Sequence, residues 1–164
     1  MKVSFTKDTF GPALKRMVTE LPEEMDRATA RNAYLLQSTI VKGIRTNDLA
    51  TNEIANWPAL SAAYAQRKRE AGGSDKMLIG PDRHATATQP SHNGGELIRS
   101  IEVSRVTGGV YDVGTNLPYA RALDKGYAPR KLPARPYMLP ALLLAKPIMI
   151  ENWDKVIRSV TRKR

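Results

Sequence analysis

Residues 113–137, VGTNLPYARALDKGYAPRKLPARPY, are the part of this 164-residue chain whose sequence specifies structure most strongly. Thr115 or Asn116 can cap the start of a helix, and Pro118 suits its first turn because an N–H group there would lack an intrahelical partner. Gly126 suits the left-handed position that ends a helix. The segment therefore predicts a strand end, a turn and one short helix.

The second half of the segment predicts a basic loop that is held at both ends. The loop runs from Tyr127 to Leu132, carries Arg130 and Lys131, and leads into two prolines that stiffen the chain. Loops on rigid supports often carry recognition. Because the segment is rich in shape-determining residues and poor in catalytic groups, we interpret it as a part that fits against other proteins.

The same segment resembles the signature of small neck and tail-completion proteins of tailed bacteriophages. That family includes the virion-morphogenesis proteins of Mu-like phages and related head–tail connector proteins of long-tailed phages. Its members carry a V-G-T-x-x-x-Y-A-x-x-x-x-x-G run, a variable loop, an x-P-A-R-P-F-x-x-P-A-L element and a C-terminal helix. The matching positions here are Val113, Gly114, Thr115, Tyr119, Ala120, Gly126, Pro133, Ala134, Arg135, Pro136, Tyr137, Pro140, Ala141 and Leu142.

The resemblance extends upstream and covers roughly residues 55–164. An L-x-x-S-I element precedes the family's hairpin, and a tryptophan-proline-leucine element with a basic helix occurs in the Mu-like members. The positions that resemble them are Leu97, Ser100 and Ile101, and then Trp57, Pro58, Leu60, Arg67 and Lys68.

This resemblance implies a structural virion protein, made in the host cytoplasm and placed at the head–tail junction or tail end. It implies a homo-hexameric ring that joins a connector or stopper protein to the tail terminator or tube protein. Proteins of this kind are often monomeric in solution and become rings on the particle.

The formal net charge of +10 leaves two interpretations open. One is a solvated basic surface, and the other is contact with nucleic acid or an acidic protein surface. The basic residues are spread along the chain and aromatic residues total only 6%, so sequence-specific DNA recognition is not predicted. Nonspecific DNA binding, including contact with DNA that passes through a ring, is the alternative function.

The sequence predicts no enzyme, no cofactor and no metal site. The absence of cysteine excludes disulfides, thiolate zinc sites and thiol nucleophiles. His84 and His92, even with Asp82, match no recognised metal-ligand spacing. The enzyme alternative is a hidden nuclease, but two-metal chemistry would need dispersed aspartates at one site. Those aspartates are Asp112, Asp124 and Asp154.

Composition and pattern predict a single α+β domain over residues 1–164, with a small antiparallel sheet packed against a long N-terminal-half helix and a C-terminal helix. Apolar residues make up 41% and charged residues 26% of the chain, as in soluble globular proteins, and no apolar run could span a membrane. The predicted helices are residues 10–20, 21–43, 57–70, a turn at 96–100, and one that begins at Pro140. The predicted strands are residues 2–6, 101–106, 110–113 and 135–139.

Two features predict departures from the family. The sequence of residues 72–95 predicts a flexible loop inserted relative to the family. Within it, residues 80–94 are expected to form an exposed finger that becomes ordered against an adjacent protein. Pro147 lies inside the C-terminal helix, where proline costs about 3 kcal/mol, so a kink or break is expected near Lys146.

Arg135 has two interpretations. It either ties a loop to a carboxylate or to backbone carbonyl groups, or it contacts a neighbouring subunit. The basic C-terminal run is expected to lie near DNA or an acidic rim. The candidate partner-contact residues are Tyr127, Arg130, Lys131, Arg135, Arg83, His84, Arg162, Lys163 and Arg164.

Overall fold

The computed structural model describes residues 10–51, 57–71, 76–79 and 95–162. The predicted strand at residues 2–6 and the predicted finger at residues 80–94 lie outside the described residues. The elements are α1 (Phe10–Thr46), α2 (Ala62–Glu70), α3 (Glu96–Arg99), β1 (Glu102–Thr107), β2 (Val110–Gly114), α4 (Ala120–Lys125), a 3-10 turn (Ala128–Arg130) and α5 (Met138–Arg162).

The architecture is α+β, as predicted. The long helix α1 packs against α5, and the two-stranded antiparallel sheet contacts α1. The helix pair is fixed by polar contacts as well as by burial of small side chains. The buried Asn32 donates to the Met149 carbonyl oxygen at 3.0 Å and accepts from Asn152 Nδ2 at 2.8 Å. Trp153 Nε1 donates to Thr29 Oγ1 at 3.2 Å, so α5 runs antiparallel to α1.

Helix α1 is continuous over 37 residues, so the prediction of two separate helices that meet at Leu21 was wrong. Because Pro22 has no backbone N–H group, the carbonyl oxygen of Val18 does not receive its intrahelical hydrogen bond. Both Pro22 and Val18 are exposed, so that carbonyl group can bond to water instead. The helix therefore tolerates the proline at this surface position.

Helix α5 is likewise continuous through Pro147, and the expected break near Lys146 is absent. Pro147 is exposed, which again lets solvent satisfy the carbonyl group that loses its partner. The helix begins at Met138, so Pro140 lies in its first turn, where its missing N–H group has no cost.

The predicted hairpin is confirmed. Strands β1 and β2 pair in register Val103↔Val113 and Ser104↔Asp112, with an irregularity between Arg105 and Thr107. The predicted third strand at residues 135–139 was wrong. Residues 133–137 join no ladder and Met138 already begins α5, because a side chain of α4 binds the backbone N–H groups there.

The core lies where α1, the hairpin, α4 and the start of α5 meet. Its ten buried residues are Ile40, Ile44, Leu49, Trp57, Leu78, Leu97, Ile101, Ala120, Tyr137 and Ala141. The Leu49 side chain occupies the space that a Cβ atom on Gly43 would fill. Glycine at this position therefore lets the chain fold back against the end of α1.

Helix α2 begins later than predicted, at Ala62, where Ser61 Oγ accepts from the Tyr64 N–H group at 3.4 Å. Trp57 was expected to open this helix. It is buried instead, and its Nε1 donates to the Pro136 carbonyl oxygen at 2.7 Å. The tryptophan thus ties the chain before α2 to the chain before α5.

Candidate interaction site

A hydroxyl side chain closes the turn before α4 but does not cap the helix, so the prediction of a cap at Thr115 or Asn116 was wrong. Thr115 Oγ1 accepts from the Leu117 N–H group at 3.2 Å and bonds Ser100 Oγ at 2.6 Å. The residue at the N-cap of α4 is Tyr119, not Thr115 or Asn116. Thr115 therefore fixes the entry to α4 and joins it to the end of α3.

Gly126 ends α4 and allows the chain to return on itself. Its φ is +79°, in the region that favours glycine. A Cβ atom here would lie 2.9 Å from the Ala134 nitrogen and 3.0 Å from the Leu132 carbonyl oxygen. Both the dihedral angle and the close approach of residues 132–134 require glycine.

The loop of residues 127–132, called the basic loop below, is closed by backbone hydrogen bonds. Tyr127 N donates to the Leu132 carbonyl oxygen at 2.9 Å, and Leu132 N donates back to the Tyr127 carbonyl oxygen at 3.1 Å. Between them Ala128–Arg130 form a 3-10 turn, and Lys131 adopts a left-handed conformation with φ +50°. The loop is therefore preformed.

The basic loop displays its functional groups to solvent. Arg130 and Lys131 are exposed, and the Tyr127 ring is 46% exposed. Neither cation forms an ion pair with a carboxylate in the described part of the chain. The loop thus presents two positive charges beside an aromatic ring on a rigid support.

That support is anchored by Asp124, which is buried although it lies near the end of a short helix. One carboxylate oxygen, Oδ1, accepts from the N–H groups of Tyr137 at 2.9 Å and Met138 at 3.2 Å. The carboxylate caps α5 and interacts favourably with the positive end of its dipole. Tyr137 is buried below it, and burial raises the pKa of Tyr137 to about 12, with the charge of Asp124 adding to the effect.

Arg135 is buried, and its contacts correspond to the first of its two interpretations. Its Nε donates to the Pro58 carbonyl oxygen at 3.3 Å and its Nη2 to the Ala59 carbonyl oxygen at 3.5 Å. Burial lowers the pKa of the guanidinium from its ordinary value. Arg135 therefore holds residues 58–59 against the base of the basic loop.

Of the remaining candidates, the structure describes Arg162 alone. Arg162 is exposed in the last turn of α5. Arg83, His84, Lys163 and Arg164 lie outside the described residues. Among the described candidates, Tyr127, Arg130 and Lys131 lie together in the basic loop.

The aspartates considered for a nuclease occupy separate places. Asp112 lies on β2, Asp124 caps α5, and Asp154 pairs with Arg158 on α5 at 2.7 Å. In the described part of the chain, no three histidine or acidic residues are grouped so as to hold a metal ion.

Sequence reasoning missed Asp26, which anchors the tip of the hairpin to α1. Its Oδ1 accepts from the Gly109 N–H group at 2.7 Å and from the Tyr111 hydroxyl at 3.2 Å, while Oδ2 pairs with Arg105 at 2.8 Å. The Gly109 hydrogen bond, followed by the charge of Arg105 and the Tyr111 hydroxyl, lowers the pKa of Asp26. A single acid in an amphipathic helix gives no local signal of such a role.

A second unpredicted feature is the apolar surface that α5 leaves open. Part of this helix packs on α1, but several large aliphatic side chains are 39–51% exposed. They are Leu139, Leu142, Leu144, Ile148, Ile150 and Ile157. Ile150 and Ile157 are seven residues apart and Leu139 lies eleven residues before Ile150, spacings that place the three on one face of a helix. We call this face the α5 stripe.

Comparison with known proteins gives no relative: no protein-family model, curated protein or solved structure matches the chain. No described helix combines the length and apolar character that crossing a bilayer requires.

Proposed function

We propose that the chain is a structural virion protein of a tailed bacteriophage, a neck or tail-completion protein that forms a ring at the head–tail junction. Its partners are other copies of itself, a connector or stopper protein, and the tail terminator or tube protein. The resemblance of residues 113–142 to that family points to the head–tail junction as the site of assembly. The contacts described above support a role in assembly.

The observation that carries an assembly role is the exposed aliphatic surface of α5. An isolated exposed leucine is ordinary, whereas Leu139, Ile150 and Ile157 are exposed along one face of the same helix, which favours a surface that another protein covers. The spacing of the α5 stripe suits contact with a helix or an apolar groove.

The basic loop supports the same proposal. Two residues that match the family motif act as structural supports, because Gly126 permits the return of the chain and Arg135 holds residues 58–59 against the base of the loop. The loop between them is preformed, so it loses little conformational freedom on binding. Such a loop is suited to docking against a fixed partner in a ring.

The mechanism is assembly. Each copy buries the helix pair and core internally and offers the α5 stripe and the basic loop to its neighbours. Contacts between different surfaces of identical subunits are heterologous. They close into a ring when the rotation from one subunit to the next equals a full turn divided by a whole number. The hexamer is the ring size that the family resemblance implies.

The proposal is tested by complementation of a phage or prophage that carries a stop codon in this gene. Plasmid-borne protein with Ile150→Asn and Ile157→Asn is expected to restore few infectious particles while its unfolding temperature stays near that of the unchanged chain, because both side chains already face solvent. The matched control, Glu151→Gln with Lys155→Gln, removes an exposed ion pair of the same helix and should restore particles fully. Full restoration by the isoleucine variant would contradict the proposal.

A second candidate function, nonspecific binding of duplex DNA, is favoured by the net charge of +10. It predicts that the affinity falls by about 0.9 log unit per phosphate contact for each log unit of salt. The assembly proposal predicts weak binding or none outside the particle. A salt titration of DNA binding by the purified chain separates the two.

A further inference from the structure

A polar groove of about 460 Å³ lies on the face of the hairpin that carries Glu102 and Ser104 on β1 and Asp112 on β2. Ser104 and Asp112 are direct cross-strand partners, and Glu102 is two residues from Ser104, so all three share one face. Arg105 and Tyr111, which contact Asp26 of α1, lie on the opposite face. The groove therefore opens away from α1.

The groove is acidic in a chain that is strongly basic. Its charged lining residues are Glu102 and Asp112, and no lysine or arginine lines it among the described residues. Both carboxylates are exposed, and neither pairs with a basic side chain in the described part of the chain. Hydroxyl and amide groups of Ser104, Thr115 and Asn116 complete a lining that suits a cationic, hydrogen-bonding segment.

The basic loop has the complementary chemistry. It offers two exposed cations, Arg130 and Lys131, and the half-exposed Tyr127, on a backbone that its own hydrogen bonds hold in place. An arginine can bind a carboxylate through two parallel N–H···O bonds, and a tyrosine hydroxyl can bond serine or asparagine. The number of opposite charges matches, with two on each surface.

We propose that the acidic groove of one copy receives the basic loop of a second copy. The inference rests on the proposed ring-forming function and names the surfaces that the subunits use. Where the groove and the loop of one copy contact two different neighbours, the contact is heterologous and leaves one groove and one loop free at the ends of any open chain, which a ring closes. A nucleic acid is a poor occupant of this groove because its phosphates would face two carboxylates.

The test uses the absence of cysteine in the natural chain. Ser104→Cys places a thiol in the groove, and Ala128→Cys places one on the basic loop; both positions are exposed. The two full-length variants, one carrying a longer tag, are mixed at low salt and oxidised. The proposal predicts that the groove–loop heterodimer exceeds the proportion that random collision gives, which is twice each homodimer.

Charge reversal makes the test specific. Glu102→Lys with Asp112→Lys in the Ser104→Cys chain should remove the excess, and Arg130→Glu with Lys131→Glu in the Ala128→Cys chain should do the same. Mixing the two reversed chains should restore it, since opposite charges again face each other. Two exposed ion pairs change an association constant by roughly 2- to 30-fold, and the effect should shrink as salt is raised.

Three outcomes would overturn the proposal: random heterodimer yield with the natural charges, an excess that charge reversal leaves unchanged, or a loss that the doubly reversed mixture does not restore. Failure here is separable from failure of the proposed function. Particles that need the protein for head–tail joining, together with random cross-linking, would keep the function and remove this interface. Biased cross-linking with normal particles in its absence would keep the interface and remove the neck function.

Discussion

Asp124 Oδ1 accepts a 2.9 Å hydrogen bond from the backbone N–H group of Tyr137, thirteen residues further along the chain. The carboxylate at the end of α4 therefore caps the start of α5 and holds the two ends of the intervening segment together. The basic loop lies within this segment. The contact between Asp124 and Tyr137 therefore adds to the backbone hydrogen bonds between Tyr127 and Leu132 that close the loop.

Asp124→Ala should destabilise the fold by about 1–3 kcal/mol, because it leaves the N–H groups of Tyr137 and Met138 without their acceptor in a buried site. Asp124→Asn keeps an oxygen acceptor and should lose less. The free energy of unfolding in urea measures both. Asp154→Ala, at an exposed position of α5, is the control, and an equal loss in Asp124→Ala and Asp154→Ala would refute the capping role.

Gly126→Ala should destabilise the fold by about 1–3 kcal/mol, because a left-handed φ and a Cβ atom in contact with residues 132–134 are both unfavourable. Gly108→Ala is the matched variant, since a Cβ atom there meets nothing within 4 Å. Thermal unfolding followed by circular dichroism compares the two. Similar unfolding temperatures for both variants would show that the return at Gly126 does not need glycine.

Asp26→Asn should weaken the fold at neutral pH, with the difference from the unchanged chain vanishing in acid. The pKa of Asp26 is lowered below its ordinary value of 3.8, mainly by the Gly109 N–H group, so its contribution is present above that value and is lost as pH falls through the folded-state pKa. Unfolding temperatures measured across this range test the sign. Asp112→Asn, on the other face of the hairpin, is the control, and a difference that persists in strong acid would contradict the assignment.

Tyr137→Phe should reduce the loss of stability in alkali. The pKa of Tyr137 is raised to about 12 by burial and then by Asp124, whereas an unfolded tyrosine titrates near pH 10. The unfolded chain therefore releases a proton first, and stability falls as pH rises between about 10 and 12. Burial also raises the pKa of Tyr111, so the Tyr137→Phe variant should still lose some stability in alkali. Equal alkaline slopes for the unchanged chain, Tyr137→Phe and the exposed Tyr127→Phe would exclude this cause.

Local structure was predictable wherever adjacent residues determine it. The hairpin follows from two β-prone runs around Gly108 and Gly109, and the end of α4 follows from Gly126, whose positive φ the structure contains. The amphipathic patterns likewise indicated that two helices would form the main packing. Their continuity through Pro22 and Pro147 was missed because the cost of a helical proline depends on whether solvent reaches the orphaned carbonyl group.

The candidate site was predictable only in part, because its supports are joined over long distances in sequence. Asp26 and Gly109 are 83 residues apart, and Trp57 and Pro136 are 79 apart. Nothing near an isolated aspartate shows that its partner is a distant N–H group. The acidic groove could not be predicted without the strand register, because it is the pairing of Ser104 with Asp112 that places the carboxylates of Glu102 and Asp112 on one face.

The most direct test of the proposed function is electron microscopy of a lysate from a phage or prophage that carries an early stop codon in this gene. We predict filled heads and separate, finished tails that fail to join, with joined particles restored when the protein is supplied from a plasmid. Normal, tailed particles in the absence of the protein would contradict a role in neck or tail completion and would leave DNA binding as the function to pursue.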